Sequence, residues 1–135
     1  MNNIVSLSGG KDSTCLLILM LEKNEPIHSA VFFDTGWEFP EMVDHIDKLE
    51  KYTGVDIVRL KPANSFDYLM NESPIKRRYG DDKGEIYRFG YGWPSPMRRW
   101  CTDRKVKTIE KYYKTQADFL SCIGFASDEC KRVQR

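Results

Sequence analysis

Short runs of apolar residues alternate along this chain with longer stretches in which apolar positions recur every three or four residues. Short runs are typical of buried strands, and the longer stretches are typical of helices. In one long stretch a helical stripe begins at Phe39, and a glycine follows it at position 54. The pattern predicts strands at 4–7, 29–36, 55–60 and 117–124, and helices at 11–23, 40–53 and 98–114.

The first predicted helix carries the longest apolar run. Residues 15–21, CLLILML, are rich in Leu and Met rather than in β-branched residues, which favours a helix over a strand. Because the run is apolar on all sides, we expect the helix to lie deep against a sheet, with Cys15 and Cys122 as small core residues. Strands that alternate with helices imply right-handed crossovers and a parallel sheet, which is an α/β fold.

Residues 72–98 break this alternation. They contain four glycines, three prolines and three tyrosines, together with the basic cluster Lys76, Arg77 and Arg78. Such a composition is typical of a loop, and the sequence predicts a mobile segment or lid here.

Composition narrows the class of protein. The chain has 135 residues, enough for one domain, and its 41% hydrophobic content is enough for a core. The net charge of +1 argues against a general nucleic-acid coat protein. The four cysteines form no CxxC pair, which disfavours a zinc site and fits a reducing cytoplasm. No signal-peptide pattern and no membrane-spanning run is present, so we expect a cytoplasmic protein without a membrane partner.

The string SGGKDS, residues 8–13, lies between the first strand and the first helix. Glycines allow backbone N–H groups to approach a ligand, and a helix N-terminus adds free donors and partial positive charge. Lys11 adds a full charge, and Ser8 and Ser13 add hydroxyl groups. The string therefore predicts an anion site suited to phosphate, and it is not a Walker A motif. The alternative is a plain glycine turn with Asp12 or Ser13 as the helix cap.

SGGKDS resembles the PP-loop of the adenine-nucleotide α-hydrolase superfamily. The strings FFDTGWEFPEM, RRWCTDRKVK and IGFASDECKR are similar, in the same order, to motifs of its phosphoadenosine phosphosulfate (PAPS) reductase-like branch. The resemblance implies a three-layer, Rossmann-like HUP-type fold, with helices on both faces of a parallel or mostly parallel sheet. It implies binding of an adenine nucleotide, with ATP favoured, and reaction at the α-phosphate with release of pyrophosphate.

The resemblance also assigns residues. The residues implied to bind phosphate are Ser8, Gly9, Gly10, Lys11, Asp12 and Ser13. The backbone near Phe33, with Asp34 and Thr35, is implied to lie at the adenosine end, and Gly124 is implied to bind the nucleotide. The residues implied to face the anionic end are Arg99, Cys101, Thr102, Lys105 or Lys107, Asp128, Glu129 and Arg132. The resemblance implies that the catalytic residues are Lys11, Asp12, Arg99 and Cys101. Asp128 and Glu129 are candidates to hold Mg²⁺, or alternatively to orient Arg132 by ion pairing.

The residues from 98 to 114 support an anionic ligand independently of the resemblance. Seven basic residues stand there against only Asp103 and Glu110. Among the seven, Arg99 has a guanidinium group that suits bidentate contact with phosphate or sulfate. The alternative is an ordinary solvated helix face. The same field would favour the thiolate of Cys101, a candidate nucleophile, although packing is the alternative role. Asp34 is alternatively a cap on the turn that follows it.

The chain also departs from the family pattern. It lacks the C-terminal Glu-Cys-Gly-Leu-His-type cysteine motif of the reductases, and it lacks the Cys-Cys and Cys-x-x-Cys set, so no iron–sulfur cluster is expected. Lys11 is kept, which favours ATP over PAPS or adenosine phosphosulfate (APS). Relatives also continue past position 132, so residues 1–135 are interpreted as a single nucleotide-binding domain without the family's C-terminal segment.

Three hypotheses about the function therefore stay open. They are an ATP pyrophosphatase-like enzyme, a PAPS or APS reductase whose thiol comes from elsewhere, and a nucleotide-dependent binding module or a component of tRNA or DNA sulfur modification. A homodimer and a missing partner subunit are the protein partners that stay open. Nucleic acid is a possible partner through residues 76–78 and the basic helix, although it is not the favoured one.

Overall fold

A parallel four-stranded sheet forms the centre of the computed structural model, which describes residues 2–127. In chain order the elements are β1 (Asn2–Leu7), α1 (Lys11–Glu22), β2 (Ser29–Phe33), α2 (Pro40–Thr53), β3 (Ile57–Leu60), α3 (Phe66–Asn71), β4 (Pro74–Lys76), β5 (Ile86–Phe89), α4 (Trp100–Tyr113) and β6 (Phe119–Ile123). The central sheet has the order β3-β2-β1-β6, and every neighbouring pair is parallel.

Two apolar clusters cover the two faces of this sheet. Phe32 of β2 belongs to a cluster that includes Leu17 of α1 and Ile46 of α2. Phe33, the next residue, packs instead with residues of α3 and with Trp100 of α4. Successive strand side chains point to opposite faces, so α1 and α2 cover one face and α3 and α4 cover the other. The predicted α/β fold, with a parallel sheet between two helical layers, is confirmed.

An ion-pair cluster joins β3 to α2. Nη2 of Arg59 lies 2.7 Å from Oδ1 of Asp47 and 2.9 Å from Oε2 of Glu50. Oε1 of Glu50 also accepts a hydrogen bond of 2.8 Å from the backbone N–H of Ile57. The Arg59 hydrogen bond, helped by that N–H, lowers the pKa of Glu50 below its ordinary value of 4.5. The carboxylate thus favours its charged form, which holds the end of α2 to the sheet.

Residues 72–98 contain more regular secondary structure than the predicted loop. Strands β4 and β5 form an antiparallel hairpin with a register shift between Ile75 and Lys76. Helix α3 precedes it and was not predicted; Ser65 caps this helix by accepting a hydrogen bond from the N–H of Tyr68 at 3.2 Å. Helix α3 has only six residues, and the hairpin lies in a segment rich in glycine and proline, so neither shows a clear apolar period.

The expectation that α1 is buried on all sides is wrong. Leu17 is fully buried against the sheet, but Leu19 is 44% exposed and Cys15 is exposed. Cys15 is therefore not a core residue. In the described part of the chain, α1 meets the sheet on one side and α2 on another, and its remaining side has no element packed against it. A run that is apolar all round does not show how many neighbours a helix has. Within residues 2–127, no helix has the length and apolar character needed to cross a membrane.

Candidate functional site

The loop of residues 8–13 joins β1 to α1 and is held by its own serines. The backbone N–H of Ser8 donates to Oγ of Ser13 at 3.1 Å, and the two serine hydroxyl oxygens are 3.0 Å apart. The Ser13 hydroxyl donates in turn to the carbonyl oxygen of Gly10 at 3.1 Å. Ser13 is buried, and its hydroxyl is occupied within the loop. Ser13 therefore shapes the loop, and its predicted contact with phosphate stays a prediction.

Gly9 has a backbone conformation that few other residues adopt. Its φ angle is +80°, and a Cβ at this position would clash with Sδ of Met42. Met42 lies on α2 and is half-buried against the main core cluster. Met42 of α2 thus packs directly against the loop at Gly9.

The first turn of α1 keeps its backbone donors available. The N-cap residue is Gly10, and no side chain forms a capping hydrogen bond there. The alternative in which Asp12 or Ser13 caps this helix is therefore wrong. N–H groups at the start of a helix carry partial positive charge and point along the helix axis. The exposed Lys11 follows Gly10 directly, so backbone donors and one full charge occur together at this point.

The start of α1 lies at the topological switch point of the sheet, where the strand order reverses. From β1 the chain proceeds to β2 and β3 on one side, and it returns to β6 on the other side of β1. In open α/β sheets, ligands bind outside the carboxyl ends of the strands at such a point. Gly124 follows β6, and a Cβ on it would lie 2.7 Å from the carbonyl oxygen of Asp12. The structure therefore brings Gly124, Asp12 and Ser13 together at the predicted edge.

Two grooves flank the loop. The larger, of about 570 Å³, follows the α2 side of α1; its lining includes Gly9, Lys11 and His45, whose Nε2 is 3.1 Å from Oγ1 of Thr14. The smaller, of about 380 Å³, lies between α1 and the end of β6 and is lined by Asp12 and Gly124 among others. The smaller groove lies at the β1–β6 switch point, where ligands bind in open α/β sheets. Its position therefore makes it the better candidate for the ligand site, although the other groove is larger.

The residues that follow β2 form a turn that is held by side-chain hydrogen bonds. Oδ1 of Asp34 accepts a hydrogen bond from the N–H of Gly36 at 2.9 Å, and Nζ of Lys61 lies 3.5 Å from Oδ2. The Thr35 hydroxyl donates to Oε1 of Glu38 at 2.9 Å. Asp34 thus caps the following turn, as the alternative reading predicted. Phe33 is buried at the end of β2, so only its backbone is available to a ligand.

Trp100 positions the start of α4 beside the end of β2. Its ring is 6% exposed, its centroid lies 5.1 Å from that of Phe66, and its Nε1–H donates to the carbonyl oxygen of Gly92 at 3.0 Å. Since α4 precedes a strand parallel to the others, its N-terminus points to the carboxyl edge of the sheet. Arg99 is therefore exposed at the same edge as the 8–13 loop.

The other predicted residues of α4 are spread along the helix. Cys101 is half-buried and packs against the cluster that contains Trp100, which gives it a packing role in this structure. Thr102 is exposed, and Lys105 is half-buried. Lys107 is more than two turns from Arg99, in a hollow of about 180 Å³. The structure thus groups Arg99 with the carboxyl edge and places Lys107 elsewhere.

The remaining predicted residues, Asp128, Glu129 and Arg132, lie outside the described part of the chain. Among residues 2–127, no group of three His, Cys, Asp or Glu side chains is arranged to hold a metal ion. The half-buried Cys122 follows the prediction of a packed cysteine better than Cys15 does, and burial raises the pKa of its thiol, with a further contribution from the Glu25 carboxylate.

Comparison with known proteins identifies the family to which this chain belongs. The family model described as "Phosphoadenosine phosphosulfate reductase domain" matches residues 2–134. The protein MJ0066 of Methanocaldococcus jannaschii is 30% identical over 141 residues, covering 98% of this chain and 25% of MJ0066. The nin region protein ORF290 of Escherichia phage lambda is 27% identical, covering 99% of this chain and 51% of ORF290. A 37.8 kDa protein of Escherichia phage 186 is 44% identical over 59 residues, covering 44% of this chain and 17% of that protein. The chain therefore spans between about a sixth and a half of these relatives.

Proposed function

Because this chain belongs to the phosphoadenosine phosphosulfate reductase domain family, we propose that it binds an adenine nucleotide, most favourably ATP, at the 8–13 loop. The observation that carries the proposal is the uncapped start of α1, where Lys11 follows Gly10 at the β1–β6 switch point. Backbone donors and a lysine at a helix N-terminus are suited to a phosphate chain.

The same arrangement supports reaction at the α-phosphate. A nucleophile on the acceptor attacks the α-phosphorus, the bond from that phosphorus to the bridging oxygen breaks, and pyrophosphate leaves with the electron pair. Charge then builds up on the leaving pyrophosphate, where the loop amides and Lys11 neutralise it. Arg99, exposed at the same edge, would bind the pyrophosphate or the acceptor. In this scheme the chain acts by positioning and by charge neutralisation.

A second candidate substrate is a sulfonucleotide, PAPS or APS, which the family's name favours. Reduction of such a substrate requires a thiol nucleophile. Cys101 is half-buried and packs in the aromatic cluster, so a thiol supplied by another molecule fits this structure better. The two candidates differ in one measurable respect: the reductase requires PAPS or APS to bind more tightly than ATP.

Titration calorimetry with ATP, AMP, APS and PAPS tests the proposal. We expect ATP to bind most tightly, and Lys11→Ala to weaken ATP binding by about tenfold or more, because a charge-assisted hydrogen bond is lost. Lys23→Ala, at the other end of α1, is the matched control and should leave the affinity unchanged. Equal ATP affinity in Lys11→Ala and the wild type would contradict the site, whereas tighter binding of PAPS or APS would favour the reductase. Release of pyrophosphate from ATP, assayed with candidate acceptors, tests the reaction itself.

A further inference from the structure

A second basic region lies apart from the 8–13 loop. It consists of two hollows, which we call together the basic groove. The first, of about 470 Å³, is formed by the β4–β5 hairpin and is lined by Lys76, Arg77, Arg78 and tyrosine side chains. The second is the hollow at Lys107, which Arg104 and Lys111 also line, across from the loop of residues 62–64.

The two hollows meet at one pair of side chains. Tyr91 lines the hairpin hollow, and Arg104 lines the α4 hollow. Nη2 of Arg104 donates to the Tyr91 hydroxyl at 3.3 Å, and the guanidinium carbon lies 5.9 Å from the centre of the Tyr91 ring. This contact links the hairpin hollow to the hollow at the middle of α4.

Within residues 2–127, no carboxylate forms an ion pair with the six positive side chains of the groove, whereas Arg59 and Lys61 elsewhere do form ion pairs. Acidic residues do occur on the same elements, but among residues 2–127 none of them forms an ion pair with the groove. They are Asp81, Asp82 and Glu85 of the hairpin and Asp103 and Glu110 of α4. Six like charges on a protein with a net charge of +1 predict an anionic partner. The length of the groove indicates a polymer of charges rather than one phosphate.

Aromatic rings alternate with these cations. Tyr79 is 86% exposed and Tyr87 is 50% exposed. The guanidinium groups of Arg77 and Arg88 lie 5.8 and 5.9 Å from the centre of the Tyr87 ring. Exposed rings beside cations are the arrangement on which unpaired bases stack while phosphates contact the charges. A duplex keeps its bases stacked on each other, and an acidic protein surface offers no planar bases to these rings.

We propose that the basic groove binds a single strand of nucleic acid, with phosphates on its lysines and arginines and bases on Tyr79 and Tyr87. This proposal does not depend on the nucleotide site, because the groove contains none of the residues 8–13. It assigns a partner to the hairpin, which the proposed adenine-nucleotide chemistry does not use.

Fluorescence anisotropy with labelled single strands of about 20 nucleotides, poly-dT and poly-rU, tests the proposal. We expect binding at low salt that weakens steeply with salt, with a log–log slope of about −0.7 for each phosphate contact. The matched duplex should bind more weakly than the single strands. A difference between the DNA and RNA strands would identify which of the two the groove prefers.

Two pairs of variants distinguish binding at the basic groove from a general effect of the protein's net charge. K107E/K111E should weaken binding by about tenfold or more, whereas K48E/K51E, the same charge change on α2, should have less than about a twofold effect. Tyr79→Leu should weaken binding by about fivefold, and Tyr52→Leu, a 79% exposed tyrosine on α2, should leave it unchanged. Circular dichroism confirms that each variant is folded. Equal losses in the two charge variants, tighter binding of duplex, or no binding at low salt would overturn the proposal.

Discussion

Gly124→Ala is the most direct test of how the site is built. Gly124 has little space for a side chain, because a Cβ there would lie 2.7 Å from the carbonyl oxygen of Asp12 and 3.3 Å from the backbone nitrogen of Ser13. Both atoms belong to the backbone of the first turn of α1, so no side-chain rotation relieves the contact. The substitution therefore pushes the end of β6 away from the helix start.

The size of the effect follows from this distance. Ordinary van der Waals contact begins at 3.4 Å, so the carbonyl contact at 2.7 Å requires a displacement of about 0.7 Å. Overpacking of this kind lowers the free energy of unfolding by about 1–3 kcal/mol. The same displacement misaligns the first-turn N–H groups with a bound phosphate, and loss of one charge-assisted hydrogen bond lowers the affinity for ATP by about tenfold or more.

Urea unfolding and titration calorimetry with ATP measure the two effects separately. The matched control is Gly54→Ala, at the C-cap of α2, where φ is +68° and no atom lies within 4 Å of the added Cβ. This control should cost about 1–2 kcal/mol of stability through backbone strain alone and leave the ATP affinity unchanged. If Gly124→Ala kept wild-type stability, the close approach of β6 to α1 would be refuted. If it lost stability but bound ATP like the control, the helix start would not be the phosphate site.

Three further predictions follow from contacts outside the nucleotide edge or within the loop itself. Ser13→Ala removes the hydroxyl that ties the loop, and urea unfolding should show a loss of about 1–3 kcal/mol; a smaller loss would mean that the loop does not need these bonds. Because the pKa of Glu50 is lowered, its stabilising contribution is present above pH 4.5 and is lost as the pH falls through the lowered value; Arg59→Ala should therefore be less stable at neutral pH and lose less on acidification, as followed by thermal unfolding. Alkylation of the native protein, mapped by mass spectrometry, should modify the exposed Cys15 before Cys122, since burial raises the pKa of the latter; the opposite order would contradict the exposure of Cys15.

Much of the fold was accessible from local pattern. The four strands of the central sheet, the two long helices α2 and α4, and the start of α1 at Lys11 all occur where the spacing of apolar residues predicted them. Helix and strand periods are properties of consecutive residues, and the alternation of the two restricts the sheet to a parallel arrangement. Helix α3 was missed because it has only six residues, and the hairpin was missed because it lies in a segment rich in glycine and proline.

The candidate site was accessible in part. SGGKDS in a strand–loop–helix context predicted the position of the loop, and the resemblance predicted that Gly124 and Arg99 belong to the same edge. The hydrogen bonds within the loop could not be predicted, since the sequence does not show that Ser13 bonds to Ser8 and Gly10. Which donors are already occupied depends on side-chain geometry, and no spacing rule encodes that geometry.

By itself, the sequence determined the four strands of the central sheet, the helices α1, α2 and α4, the parallel arrangement and the loop between β1 and α1, because these depend on periodicity and on glycine. The tertiary structure decided that Cys15 and Leu19 of α1 are exposed, that Gly124 lies against the start of that helix, and that Arg104 and Tyr91 link two basic hollows. The physical reason is that these features are contacts between residues far apart in the chain, and their distances exist only after the elements have packed together.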